Sequence, residues 1–395
     1  MNEVPTIPAT ALKRNAHAAF QTVRASHPIA RLEAGGYIVL RHKDVNRLSK
    51  DKRLQATGTA IPQQAGITEG ALFDIFQHGM LTANDATHAQ RRAPLSRAMT
   101  ILALDSFRLE VRRAATTLIK EFRSRGRLEL GREYADKLPV HTLAWLLGVS
   151  DDEFPSFIEK IYEMNAFFRP DVTDEAVKKA EAACHKVRCY LEHLIDRERL
   201  AQGESFLARY LALSDADSRL TRVEIAMQLI QMIIGGTESV RTSILAQTSY
   251  LLSNPEQWKA VCNDSNLVPA AVAEGMRIEP GIAGIARLSV EDIDVDGWTL
   301  PAGQLVVLSA MSALRDETVF RDGDSFDISR ENSALSRLAF GGGAHQCIAE
   351  AFGRCQLEEA LRALTTQLPE LVLETAPQFH GHIFVRSTTD CNVSW

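Results

Sequence analysis

The sequence predicts a mainly α-helical fold with a small, segregated β portion. Three observations carry this expectation. Helical periodicity fills most of residues 89–252, short strands punctuated by Gly, Asp and Pro follow residue 277, and a second strand pair brackets Gly35-Gly36. No repeat, low-complexity tract or linker interrupts the 395 residues, so 1–395 is expected to form one domain.

Taken in order, residues 11–26 read as an amphipathic helix with Thr10 as its cap and Pro28 as its stop. Residues 28–42 give two short strands around the glycine pair. Residues 54–81 are rich in Gly, Gln and Thr and lack a clear period, so they read as a long loop. The longest helix spans 221–252, a strongly apolar run with Gly235-Gly236 near its middle. Residues 285–310 read as short strands and turns; a loop, a helix from about Ile348 and C-terminal strands complete the chain.

Composition narrows the function classes. Hydrophobic residues make up 45% and charged residues 24%, the balance of a chain with a large core. A net charge of -6 argues against a general nucleic-acid binder. The N-terminus lacks a signal-type apolar segment, and no stretch approaches the run of about 18 apolar residues that spans a bilayer. The six cysteines show neither disulfide-framework density nor a CxxC pair, which points to reduced thiols in the cytoplasm.

The most specific feature is Phe340-Gly341-Gly342-Gly343-Ala344-His345-Gln346-Cys347. Consecutive glycines let the backbone adopt unusual conformations and approach a flat ligand. Cys347 precedes a helical pattern, so its thiolate would lie near free N–H groups and the positive helix end. A lone cysteine is more often a small buried hydrophobe, and a glycine loop can be only a turn. The whole string, however, resembles the haem-binding loop of the cytochrome P450 family, F-G-x-G-x-H-x-C-x-G, with Ala349 in place of the last glycine.

Three further matches follow the family's order. Glu274 and Arg277, at i and i+3, resemble its E-x-x-R and would form a structural ion pair; such pairs on a surface contribute little. The family's third charged partner aligns with Ser325, which leaves open how the pair is completed. His88 and Arg92 resemble the H-x-x-x-R that binds haem propionates, although this spacing also suits a solvated helix face. Arg287 and His345 match further propionate contacts. In the long helix, Gly235-Gly236-Thr237-Glu238-Ser239 resembles the A/G-G-x-D/E-T element, where the helix distorts beside the iron. Two mid-helix glycines cost about 1 kcal/mol each relative to Ala, which either helix packing or space for a ligand would explain.

The resemblance, diffuse over most of residues 28–395 and including Ala313 to Asp316 and Phe326 to Arg330, implies a haem-thiolate monooxygenase of the soluble bacterial type. Haem b (iron protoporphyrin IX) would lie between the long central helix and the cysteine loop, with Cys347 as the metal ligand and Phe340 and Gly341 beside it. Glu238 and Ser239 would be the catalytic acid–alcohol pair, serine replacing the usual threonine. One atom of dioxygen would enter a small-molecule substrate. No reductase domain follows in the chain, so electrons would come from a ferredoxin and ferredoxin reductase. Arg91, Arg97 and Arg354 are candidates for a docking patch, or ordinary surface charges. Rival functions are a peroxide-driven or isomerase-type haem-thiolate enzyme, a haem sensor, and a helical scaffold without haem.

On the central helix Gln231, Gly235 and Ser239 share a face with Ile234 beside them. If Ser239 faces the iron, Gln231 faces the distal cavity and bonds either a polar substrate group or a neighbouring backbone or water. Residues 54–81, Phe167-Phe168, Ile282 and Ala283 are the other candidate pocket walls.

Overall fold

The computed structural model describes residues 3–168, 173–201, 203–218 and 220–395. Helices form the bulk, and the strands gather into a six-stranded sheet and smaller sheets. In the large sheet the order is Thr6–Ile7, Ile29–Leu32, Tyr37–Val39, Leu305–Leu308, Ile285–Ser289, Leu54–Gln55. The N-terminal hairpin and the segment after residue 277 thus meet in one sheet. Gly36 makes the junction possible: its φ is +80°, and a Cβ there would lie 2.6 Å from the Leu305 carbonyl oxygen. Among the described residues, no helix is long and apolar enough to cross a membrane.

The N-terminal helix runs Ala9–Arg24 and follows Pro8, so Thr10 lies inside it and caps nothing. Asn15 leaves the helical conformation, and its Oδ1 accepts from the Ala18 N–H at 3.1 Å, restarting the helix there. Residues 54–81 are not one loop. They contain the strand Leu54–Gln55 and the helices Ala60–Gln64 and Ala71–His78. The second helix is capped from outside: the Glu181 carboxylate accepts from the N–H groups of Ala71 at 2.7 Å and Leu72 at 2.9 Å. A cap supplied 110 residues away leaves no local signature.

The central helix, Arg222–Leu252, is unbroken, and the two glycines do not distort it. Thr221 and Glu224 form a reciprocal capping box at its start. The helix Val268–Ile278 packs closely across it, where a Cβ on Gly275 would lie 2.7 Å from Gln247 Cβ. The C-terminal helix begins at Glu350, two residues after Ile348, and strands Val372–Thr375 and Asn392–Ser394 pair beyond it.

Two buried charge networks tie the helices to the irregular segments. Arg277 grips Glu274 through two contacts of 2.7 Å. Its remaining donors reach the carbonyls of Leu314, Gly323 and Ser325. Arg330 supplies the third charge, with Nε 2.9 Å from Glu274 Oε1, and it also donates to the Ser325 carbonyl. The position aligned with Ser325 therefore contributes its backbone, while the charge comes from five residues later. In the second network Glu279 accepts from Arg315 at 3.0 Å, Tyr250 at 3.2 Å and Arg386, with His17 Nε2 at 3.0 Å.

Arg277→Ala should lower the unfolding free energy by about 3–5 kcal/mol, because it strands a buried carboxylate. Arg330→Ala leaves Glu274 one guanidinium and should cost about 1.5–3 kcal/mol; urea unfolding followed by circular dichroism checks both. Burial alone would raise the Glu279 pKa, but Arg386, His17 and Arg315 hold it at about 2 instead of 4.5. Its stabilisation is complete above the unfolded value of 4.5 and is lost as pH falls through about 2. Glu279→Gln should therefore flatten the acid limb of a stability–pH curve over that window.

Candidate active site

The cysteine loop is shaped by its glycines. Gly341 and Gly343 take φ values of +73° and +66°, which an L side chain rarely adopts. Gly342 and Gly343 also press against the end of the helix His42–Leu48: their Cβ atoms would lie 2.3 Å from Ser49 Oγ and 2.4 Å from the Ser49 carbonyl oxygen. These glycines serve the loop's own packing. Cys347 N–H donates to the Phe340 carbonyl at 2.9 Å and closes the loop. Cys347 is exposed. Burial pushes its pKa up, while the Ala349 N–H and nearby Arg92 work the other way. Ala349 has φ -109°, so the departure from glycine brings no backbone strain.

Beside the loop stands a cluster of basic side chains. The His88 and His345 rings lie 4.0 Å apart, and the buried atoms His88 Nε2 and His345 Nδ1 have no hydrogen-bond partner. Arg287 is buried on its strand, and its side chain donates to the Ala286 carbonyl at 2.8 Å; Arg92 donates to the Gln346 carbonyl at 2.5 Å. Burial, then Arg287, His88 and Arg92, pull His345 down to about 3. Burial also lowers His88, with Arg92 and Arg287 adding to it, and brings Arg287 to about 10. Among the described residues, none of the four pairs with a carboxylate. Two guanidiniums, one buried and one half-buried, without a carboxylate partner, beside two imidazoles with unpartnered nitrogens, suit a ligand that brings carboxylates. The donors present therefore fit haem, with Cys347 for its iron and this cluster for its propionates.

The central helix leaves open space at Gly235, while Gly236 packs toward Leu143. A Cβ on Gly235 would meet nothing within 4 Å. Ser239 is half-buried, and its Oγ donates to the Gly235 carbonyl at 2.8 Å. Glu238 is buried near the ion pair of Asp136 and Arg241. Thr237 turns inward, bonded by Asn165 Nδ2 at 2.7 Å, and takes no part in the exposed face.

A model of the cytochrome P450 family matches residues 146–367, more than half of the chain. The chain belongs to the cytochrome P450 family. Cytochrome P450-pinF1, plant-inducible, of Rhizobium radiobacter is 32% identical over 98% of this chain and 92% of its own. Nocardicin C N-oxygenase of Nocardia uniformis subsp. tsuyamanensis is 30% identical over 96% of this chain and 95% of its own. The crystal structure of CalO2 superposes with a TM-score of 0.89 at 24% identity, covering 97% of this chain and 96% of that one. With relatives named as monooxygenases and hydroxylases, this P450 is a haem-thiolate monooxygenase in general class.

Several expected pocket walls of the P450 lie elsewhere. Gln231 is buried, its Oε1 accepting from the Leu81 N–H at 2.9 Å and its Nε2 donating to the Ile75 carbonyl at 2.9 Å. The backbone alternative holds, and both ends of the amide are taken before any substrate arrives. Gly79 permits this, since a Cβ there would lie 1.9 Å from Gln231 Nε2. Ala283 is fully buried in a hydrophobic cluster that includes Leu12, Phe20 and Met311. Ile282 and Ile234 are half-buried. Phe167 and Phe168 are half-buried and cluster with Phe76, at centroid distances of 6.1 and 6.2 Å.

The candidate docking arginines also differ. Arg91 is drawn inward by Glu224 at 3.1 Å and the carbonyls of Gln77 and Gly79, so it braces the same turn that Gln231 holds. Arg354 stacks over the Phe340 ring at 5.0 Å, and Arg97 is partnered. Sequence reasoning missed the roles of Gly79, Glu279 and Arg386; it had singled out the Phe326 to Arg330 segment without assigning Arg330 its charge.

Gln231→Leu should lower the unfolding free energy by about 1–3 kcal/mol, since the Leu81 N–H and Ile75 carbonyl lose their partners. The same variant should weaken polar and apolar ligands alike; a ferric spin-state titration with matched ligands checks this.

Proposed function

We propose that this P450 inserts one atom of dioxygen into a small organic substrate, with haem b as cofactor and electrons from a ferredoxin and ferredoxin reductase. What carries the reading is an exposed Cys347 closing a glycine loop, beside the basic groups His88, Arg92, Arg287 and His345, which among the described residues pair with no carboxylate. When bound, the haem supplies the iron at which dioxygen is reduced, and thiolate ligation favours O–O cleavage. Residues 1–395 then act as one haem domain.

The protein's part is to hold, orient and deliver protons. Cys347 would hold the iron through a sulfur whose negative charge the Ala349 N–H favours. Arg92 and Arg287 would supply charge, and His88 and His345 hydrogen-bonding nitrogens, to the haem propionates, while Phe340 and Gly341 of the cysteine loop would line the haem site. The Ser239 hydroxyl donates to the Gly235 carbonyl, which leaves its oxygen lone pairs free to accept a bond and the group able to pass a proton on. Glu238, one residue earlier, is the acid that resupplies it. A retained acid and alcohol favour reductive oxygen activation over a peroxide-driven reaction.

Reduced wild-type protein with carbon monoxide should show the red-shifted Soret band of thiolate ligation. Cys347→His should abolish the band and Cys355→Ser should keep it; a histidine-type band in the wild type would overturn the reading. Ser239→Ala should divert electrons to peroxide and lower product formed per electron, while Ser239→Thr should maintain or improve that ratio.

A further inference from the structure

Arg386, buried near the C-terminus, lies where three parts of the molecule meet. Its guanidinium pairs with Glu279, just past the ion-pair helix. Its N–H donates to the Gly281 carbonyl at 3.0 Å, and its own carbonyl accepts from Thr242 Oγ1 of the central helix at 3.1 Å. One residue thus binds the linker 279–284, the C-terminal segment and the central helix.

The linker is held against Ser239 with no slack. A Cβ on Gly281 would lie 2.3 Å from the Ser239 carbonyl oxygen and 2.9 Å from its Cα. Beyond it the linker is stapled to the C-terminal segment: Ala283 N–H donates to the Phe384 carbonyl at 2.7 Å, and Ile282 bridges Val385. Ala283 is buried in the core behind, so the half-buried Ile282 and Val385 move only if Arg386 lets the two strands shift together. Glu279 is itself fixed by Arg315, Tyr250 and His17, which gives Arg386 a rigid anchor.

We propose that Arg386 is a positioning residue that sets how closely the wall formed by Gly281, Ile282 and Val385 approaches Ser239, and so which ligand shapes the cleft accepts. The proposal rests on the reading that haem and substrate occupy the cleft beside Ser239. Arg386 touches neither; it acts through Gly281 and the paired strands.

The test uses ferric holoprotein and two azoles with the same ligating nitrogen, imidazole and 4-phenylimidazole, each titrated by its Soret shift. Imidazole reports access to the iron, and the added phenyl ring reports the wall. Arg386→Gln should change the Kd for 4-phenylimidazole about tenfold, as a displaced wall contact does, and leave that for imidazole within about twofold. Thr242→Val removes only the hydroxyl bond to the Arg386 carbonyl and should move the ratio in the same direction by about threefold. If Arg386→Gln fails to retain haem, Thr242→Val decides alone. An unchanged ratio in Thr242→Val, or equal changes for both azoles in either variant, overturns the proposal. The carbon monoxide band of each variant is read first; its absence in the wild type would indict the haem reading and not the role of Arg386.

Discussion

Glu274, held between Arg277 and Arg330, is the interaction on which the irregular half of the molecule depends. Residues 314–330 run with few regular ladders, so their carbonyls need donors from elsewhere. The two guanidiniums supply them, reaching five carbonyls between Leu314 and Ser325 while sharing one carboxylate. The Asp327 N–H closes the set on Glu274 Oε1 at 2.9 Å. A buried carboxylate with that many charge-assisted bonds favours one arrangement of the chain that leads into the cysteine loop.

The opposite treatment of charge marks the site. Around Glu274 and Glu279 every buried cation has an anion, and the Glu279 pKa falls accordingly. Around His88, Arg92, Arg287 and His345 no carboxylate partner stands among the described residues; burial lowers the pKa of all four, and the neighbouring arginines lower the two histidines further. An interior that pairs charge in one place and withholds it in another reserves the second place for an anionic ligand. Haem propionates suit that demand.

Around the central helix and the cysteine loop, elements meet through close contacts that only glycine permits. Gly79 admits the Gln231 amide, Gly281 meets Ser239, and Gly342 and Gly343 meet Ser49. At each point a methyl group would push two elements apart. These elements are thus spaced by where chain segments touch, which makes residues such as Arg386 and Gln231 influential.

The family's loop, the order of its motifs, the helical class and the long central helix were all legible from sequence, because each rests on neighbours within a few positions. Phe340 to Cys347, the 3- and 4-residue spacings and the run before Leu252 need no distant partner to be recognised. The partners of Gln231, 150 and 156 residues away, were not legible, nor was Arg330, 56 residues from Glu274. The same holds for the Glu181 cap, which turned an expected loop into a helix, and for the core that claims Ala283. Spacing tells which residues share a face; only the tertiary structure decides what that face meets. Hydrogen-bond satisfaction and close packing are settled by segments that the fold, not the chain, makes neighbours.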